Sequence, residues 1–315
     1  MTTTARTIPL VNLSQFTQGS ESDRQSFIDE LGKAFHEIGF VGVVGHGIDQ
    51  SLIDDFYKAA KSFFALPVSE KKKYELAGMA GQRGYTSFGK EHAKQSDVPD
   101  LKEFFQIGQE PKDGDASTKN PDVESVPEFM ELGRKLYRAF EDSGAALLRA
   151  IAIHLKLPED YFDQKITDGN SILRAIHYPP ITKEPESAIR AEQHEDINLI
   201  TLLVGASAGG LQLMNQDGEW QEIVPENDEI VINVGDMLQR LTNNYLKSTT
   251  HRVVNPPRDE WHKPRLSIPF FLHPKAKMDL TVLDHCVTAE RPQQYEPITA
   301  GEYLNERLKE IGLRK

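Results

Sequence analysis

The chain has 315 residues, with 36 Lys and Arg against 48 Asp and Glu, a formal net charge of −12. That acidic balance argues against a nucleic-acid partner, which needs a basic face. A single cysteine, Cys286, excludes an internal disulfide framework and a cysteine-built zinc or iron–sulfur site, and it fits a cytoplasmic setting.

No apolar run approaches the about 20 residues of a membrane span, and Met1 to Leu10 lacks the apolar stretch of a secretory signal. Ile8 to Val11 reads as a short edge strand, with Pro9 near its start. From Ser22 to Ile38 the apolar positions Phe27, Ile28, Leu31, Ala34, Phe35 and Ile38 keep helical spacing, and Gly39 is placed to stop the helix. Phe40 to Val44 reads as a buried strand ahead of the turn Gly45-His46-Gly47. A second helix is expected from about Gln50 to Leu66, ended by Pro67. The polar stretch from about Gly108 to Val126 reads as an exposed loop joining two halves, and a long helix follows from about Glu128 to Leu155.

After Ile166 the pattern changes to short apolar runs between turn signals. These are Ile172–Tyr178, Ile197–Val204, Leu211–Met214, Trp220–Val224, Glu229–Val234, Thr249–Val254 and Ser267–Leu272. Many short strands at regular spacing imply a sandwich or barrel. The chain ends in a helix carrying Tyr303, Leu304, Leu308 and Ile311, introduced by a capping-box pattern at Thr299 and Glu302.

His194-Glu195-Asp196 is the only His-x-Asp in the chain. In extended or turn geometry residues i and i+2 point the same way, so His194 and Asp196 can face one point. The bland alternative is a surface turn. Fifty-four residues separate His251 from Asp196, and His251 lies within a strand-like segment. Taken alone it reads better as a satisfied structural histidine. Two His and one Asp held on one face, with no cysteine available, suit a non-haem Fe(II) site with open positions. Arg265 and Ser267 share one face of a strand, where a guanidinium fork and a hydroxyl can grip a carboxylate. In isolation Arg265 reads as a surface residue on an edge strand. His-Glu-x-x-His is excluded because Asn198 stands where the second His is needed, and there is neither a Walker-type loop nor a Gly-x-Ser-x-Gly elbow.

These elements, in this order, closely resemble the isopenicillin-N-synthase-like family of Fe(II)/2-oxoglutarate oxygenases. Ile8-Pro9-Leu10-Val11-Asn12-Leu13 is similar to the family's opening strand. Gly39-Phe40 with Gly45-His46-Gly47-Ile48 is similar to its N-terminal signature. Tyr178-Pro179-Pro180, Gly209-Gly210-Leu211-Gln212, Asn233-Val234-Gly235-Asp236 and Thr242-Asn243 resemble segments of its core. The resemblance runs nearly end to end. It implies mixed α and β structure: a distorted double-stranded β-helix (jelly roll) core with flanking helices. The parts expected within one unit are an N-terminal region over 1–120, a supporting helix over 121–165, the β-helix core over 166–280 and a C-terminal segment over 281–315.

The resemblance further implies that His194, Asp196 and His251 bind Fe(II). Arg265 and Ser267 then hold the distal carboxylate of the co-substrate 2-oxoglutarate, with Tyr178 hydrogen-bonded to it. Oxygen is the other co-substrate, and hydroxylation or desaturation of a small molecule releases succinate and carbon dioxide. The partner expected is that small molecule, with no nucleic acid, no membrane and no oligomeric state assigned. Two readings stay open beside this one: an iron oxidase or cyclase of the same fold that does not consume 2-oxoglutarate, and a non-enzymatic jelly-roll binding protein. Pro256 to Lys263 reads as a small loop insertion, since 13 residues separate His251 from Arg265. His46 is expected to be structural and His177 to have a pocket or packing role. Arg174 and Tyr85 are candidates for contacting substrate, and a cationic group there suits an acidic one. Arg83 and Arg190 read at least equally as solvated surface arginines.

Overall fold

The computed structural model describes residues 7–79, 82–91, 98–110, 119–226 and 228–310. Twelve strands are present among them. They are β1 (Leu10–Asn12), β2 (Phe40–Val44), β3 (Gly84–Thr86), β4 (Glu103–Gly108), β5 (Ile172–Tyr178), β6 (Ala191–His194), β7 (Ile200–Val204), β8 (Leu211–Met214), β9 (Trp220–Glu222), β10 (Ile230–Val234), β11 (His251–Val253) and β12 (Arg265–Leu272). The helices are α1 (Leu13–Thr17), α2 (Glu21–Glu37), α3 (Gln50–Phe64), α4 (Val68–Lys71), α5 (Pro127–His154), α6 (Asp163–Ile166), α7 (Asp236–Leu241) and α8 (Ala300–Glu310).

Local chemistry sets the helix ends. Ser20 caps α2 reciprocally with Asp23, and Asp49 caps α3 through Ser51 N–H. Gly39 turns the chain out of α2 at φ +79°, and a side chain there would meet Lys247 O at 2.2 Å. Thr299 and Glu302 cap α8 as the capping box anticipates. Ile311, placed on the last helix by its spacing, lies outside the described residues, as does part of the expected polar loop, 111–118.

The strands form two sheets. An eight-stranded sheet runs β1-β2-β10-β7-β12-β5-β4-β3, and a four-stranded sheet runs β6-β11-β8-β9. All pairings are antiparallel except β1 with β2, and β1 is an edge strand as expected. The large sheet has two apolar faces of different character. Leu173 and Ala175 of β5, Phe105 and Ile107 of β4, Leu202 of β7 and Phe270 of β12 belong to one cluster with α2, α3 and α5. Phe63 anchors that cluster by stacking on Phe129 at 4.9 Å and meeting Phe105 edge-on at 5.1 Å, contacts of about 0.5–1.5 kcal/mol each beyond burial. Phe104, Ile176, Tyr178 and Val231 point the other way and pack on Ala191, Leu211, Leu213 and Val253 of the small sheet. Period-two alternation thus assigns every second residue to the space between the sheets. A cavity lies in that space, and several of these apolar residues, among them Ile176, Tyr178, Leu211 and Val253, line it.

Candidate metal centre and substrate cavity

β6 and β11 are neighbours in the small sheet, and their register sets His194 directly opposite His251. Their rings lie 4.4 Å apart between centroids. Asp196 follows β6 in a segment tied down by the start of α7. Asp236 N–H donates to Asp196 O at 2.7 Å, Gly235 N–H to Leu199 O and Met237 N–H to Asn198 O. The carboxylate therefore comes up beside the two imidazoles: Oδ1 of Asp196 is 3.9 Å from Nε2 of His194 and 3.8 Å from Nε2 of His251. Asp196 and His251 are buried and His194 is half-buried.

The protonation pattern suits a metal. The Nδ1 atoms of His194 and His251 sit 2.6 Å and 3.1 Å from the carbonyls of Glu192 and Thr249. A carbonyl can only accept, so each Nδ1 carries the proton and each Nε2 presents a lone pair. Asp196 directs only one oxygen at this point. Its Oδ2 accepts from Thr201 Oγ1 at 2.6 Å and from Asn233 Nδ2 at 2.8 Å, and Asn198 Nδ2 in turn donates to Thr201. Burial pushes the Asp196 carboxyl up, but the two histidines and these hydrogen bonds outweigh it and hold the group ionised. Burial, then His251, pushes the His194 imidazole below its usual range. Two bonds of about 2.1 Å to one ion span up to about 4.2 Å, so the observed separations are within reach of a single metal. A donor set of two imidazoles and one carboxylate is the one non-haem Fe(II) takes.

The triad faces a cavity of about 780 Å³ between the sheets. Arg265 and Ser267 line it from β12, and Tyr178 lines it from β5, where it pairs in register with Arg265. The Arg265 guanidinium is buried, lies 5.1 Å from the Tyr178 ring centre and donates from Nε to Ala208 O. Its Nη1 is buried with no partner among the described residues. A buried, uncompensated guanidinium nitrogen is costly unless an anion fills the space beside it, which is what the far carboxylate of a dicarboxylate supplies.

Arg174 also lines the cavity, whereas Tyr85 does not: its hydroxyl is buried against Glu103 together with Lys71 and His177. His177 stacks on Phe64 at 5.1 Å, a packing role. His46 is buried and accepts from Ile48 N–H at Nδ1, away from the triad. The surface expectation for Arg83 and Arg190 is corrected. Arg83 is 7% exposed and donates to Gln82 O, and Arg190 is 2% exposed and donates to Lys263 O. Arg190 lies behind the site, 5.9 Å from the Tyr178 ring, where burial and then Arg265 lower it to about 10. The Pro256–Lys263 insertion folds as a short turn over Arg258–Glu260 and docks on the Tyr178-Pro179-Pro180 segment through Ile181 N–H to Trp261 O.

The chain matches two family models in succession. Residues 8–129 match the N-terminal region of the non-haem dioxygenases described from morphine synthesis, and residues 169–274 match the 2OG-Fe(II) oxygenase superfamily. A 2OG-Fe(II) oxygenase family protein from Caulobacter crescentus is 44% identical, with a TM-score of 0.86 over 98% of this chain and 100% of that one. The chain belongs to the 2-oxoglutarate/Fe(II) oxygenases. A full-length Neurospora crassa protein solved with alpha-KG and thymine is 30% identical at a TM-score of 0.86, covering 98% of each chain. The 2-oxoglutarate-dependent dioxygenase ecdK of Aspergillus rugulosus is 30% identical over 93% of this chain and 96% of its own. The oxygenase is therefore a non-haem iron enzyme with a jelly-roll core, using Fe(II), 2-oxoglutarate and oxygen on a small molecule.

Several roles in this site escape a reading of motifs, Asn233 standing in the sequence only as part of the Asn233-Val234-Gly235-Asp236 segment. Thr201 and Asn233 fix Asp196, while Gln106, Glu91, Lys102 and His273 form the wall beside Arg174. One signal does reach His273. From Arg265 and Ser267 the alternation continues through Pro269 and Phe271 to His273, and all five line the cavity.

Proposed function

We propose that His194, Asp196 and His251 are the iron ligands of this oxygenase, that Arg265 and Ser267 grip the distal carboxylate of 2-oxoglutarate beside Tyr178, and that substrate enters between the sheets to lie against Arg174. The observation that carries this is the buried, partnerless Nη1 of Arg265 in the cavity that the triad faces. Bound together, Fe(II), 2-oxoglutarate and oxygen supply the oxidising power for hydroxylation or desaturation, with release of succinate and carbon dioxide. The chain's own residues hold, orient and shield. His194 and His251 offer fixed Nε2 lone pairs, and Thr201 and Asn233 keep Asp196 Oδ2 engaged so that Oδ1 remains for the metal. Arg265 sets the register of the co-substrate by a charge-assisted contact. Leu304 and Leu308 of α8 line the cavity and restrict water.

The setting proposed is cytoplasmic, in keeping with the lone, buried and unpaired Cys286; no described helix is long and apolar enough to cross a membrane. Succinate formation measured alongside oxygen uptake tests the scheme. With Arg265→Gln, half-saturation by 2-oxoglutarate is expected to rise at least about tenfold while Fe(II) binding persists. Oxidation of a substrate by iron and oxygen with no 2-oxoglutarate consumed contradicts it and supports the oxidase or cyclase reading.

A further inference from the structure

The wall of the cavity formed by β4, β5 and the end of β12 carries an unusual amount of buried charge. Arg174 donates from Nε to Gln106 Oε1 at 2.9 Å and from Nη1 to Glu91 at 3.1 Å. Lys102 pairs with the same Glu91 at 2.7 Å and with Asp100 at 2.8 Å. Two cations therefore face two anions, and this wall sums to zero among the described residues. At the loaded metal end Fe(II) at +2, Asp196 at −1, 2-oxoglutarate at −2 and Arg265 at +1 cancel, and the buried Arg190 adds one positive charge behind Tyr178, outside the cavity lining. Arg307, which also lines the cavity, is held by Asp236 and Glu310, and Glu192 and Glu195 are part of the lining. A carboxylate that comes to lie against this wall leaves water without gaining an uncompensated cation there, a large penalty in a buried site. The presence of Arg174 on the pocket wall thus argues against an acidic substrate, because Glu91 has already taken its charge.

Two polar features on this wall remain open to a ligand. Arg174 Nη2 has no partner among the described residues, and the guanidinium is held in place over the rings of Phe104 at 4.2 Å and Phe271 at 5.1 Å. His273 is 7% exposed, lines the cavity, and its Nδ1 is buried without a partner among the described residues. Its backbone is held on both sides by Ser171 Oγ. An unpaired buried ring nitrogen, on the same cavity wall as a guanidinium with a free edge, makes a pair of hydrogen-bonding positions for a ligand.

We infer that Arg174 and His273 are the specificity-determining pair of this oxygenase. The molecule they select is uncharged and amide-like, presenting a carbonyl oxygen to Arg174 and a hydrogen-bonding nitrogen or oxygen to His273. Phe271, which shares the β12 face with His273, gives a flat framework a surface to lie on. The inference rests on the oxygenase reading above.

The test is titration calorimetry, without oxygen, of protein loaded with Fe(II) and 2-oxoglutarate. Two matched probe sets are used: nicotinamide, nicotinate and 3-picolylamine; and uracil with uracil-6-carboxylate. The neutral member is expected to bind at least about tenfold tighter than its charged partners in one set or both. His273→Leu is expected to weaken that binding by about tenfold and leave the dissociation constant for 2-oxoglutarate unchanged. Glu91→Gln, which frees the charge of Arg174, is expected to move the preference toward the acids. No neutral member ahead in either set, or an unaltered affinity in His273→Leu, overturns the inference. The wild-type ranking decides even where a variant fails to fold. Failure of wild-type protein to bind 2-oxoglutarate at all is a different result, and it strikes the oxygenase scheme instead.

Discussion

Thr201 and Asn233 are not metal ligands in this scheme, yet together they decide which oxygen of Asp196 is offered to iron. Thr201→Val or Asn233→Leu leaves Oδ2 short of a donor and lets the carboxylate rotate. An anaerobic Fe(II) titration is expected to show affinity reduced by about 10–100-fold with the fold intact. His273 gives a second prediction at this scale. Burial, and more weakly Arg174, lower its pKa from 6.5 to about 4, against the pull of Asp196. Between those values the unfolded chain binds a proton that the folded chain does not. Stability therefore falls as pH drops from 6.5 toward 4, by roughly 3 kcal/mol from this group. Denaturant unfolding of His273→Leu across that range should show a shallower slope than wild type. The clustering of His194, Asp196 and His251 was legible because a carboxylate two residues from a histidine, with a second histidine on a later strand, is a chemical pattern. Thr201 was not, since its role arises only when the Asp196–Leu199 segment folds back over the start of β7.

That segment is also where one element governs the site. Gly235 opens α7 and lets three backbone amides hold the stretch that carries Asp196. A Cβ at Gly235 would lie 2.1 Å from Asn198 Oδ1 and 2.4 Å from Asn198 O. Gly235→Ala is expected to cost about 1–3 kcal/mol and to weaken Fe(II) binding in the same variant, read by denaturant unfolding and metal titration together. Stability lost with metal affinity unchanged would detach this turn from the site. Most elements were visible in their periodicity: β2 and β5 fall on the expected residues, and α5 begins and ends one residue before the expected span. β4 was not visible. Its Glu103-Phe104-Phe105-Gln106-Ile107-Gly108 run is buried on both faces, so polar and apolar residues do not alternate and no exposed side marks the period. With it went Glu103, Gln106 and the charged wall.

Over the whole molecule, the long-range pairing of the strands brings residues from Phe40 to Leu308 around one cavity. α8 is the last piece of that enclosure, tied by Tyr303 and Arg307 to Asp236. A chain ending at residue 298 is expected to keep Fe(II) and 2-oxoglutarate binding but to release succinate with less substrate oxidised, measured as the ratio of the two products. An unchanged ratio would show that α8 does not shield the cavity. The two-sheet architecture was readable from the spacing of the strands, whereas the charge balance inside it depends on side chains far apart in the sequence. The central claim is that iron and co-substrate are held by separate residues of one cavity. Anaerobic calorimetric titration of Fe(II), then 2-oxoglutarate, into wild type, Asp196→Ala and Arg265→Gln tests it most directly. Asp196→Ala should lose both binding events and Arg265→Gln only the second; Fe(II) bound by Asp196→Ala as tightly as by wild type would contradict the account.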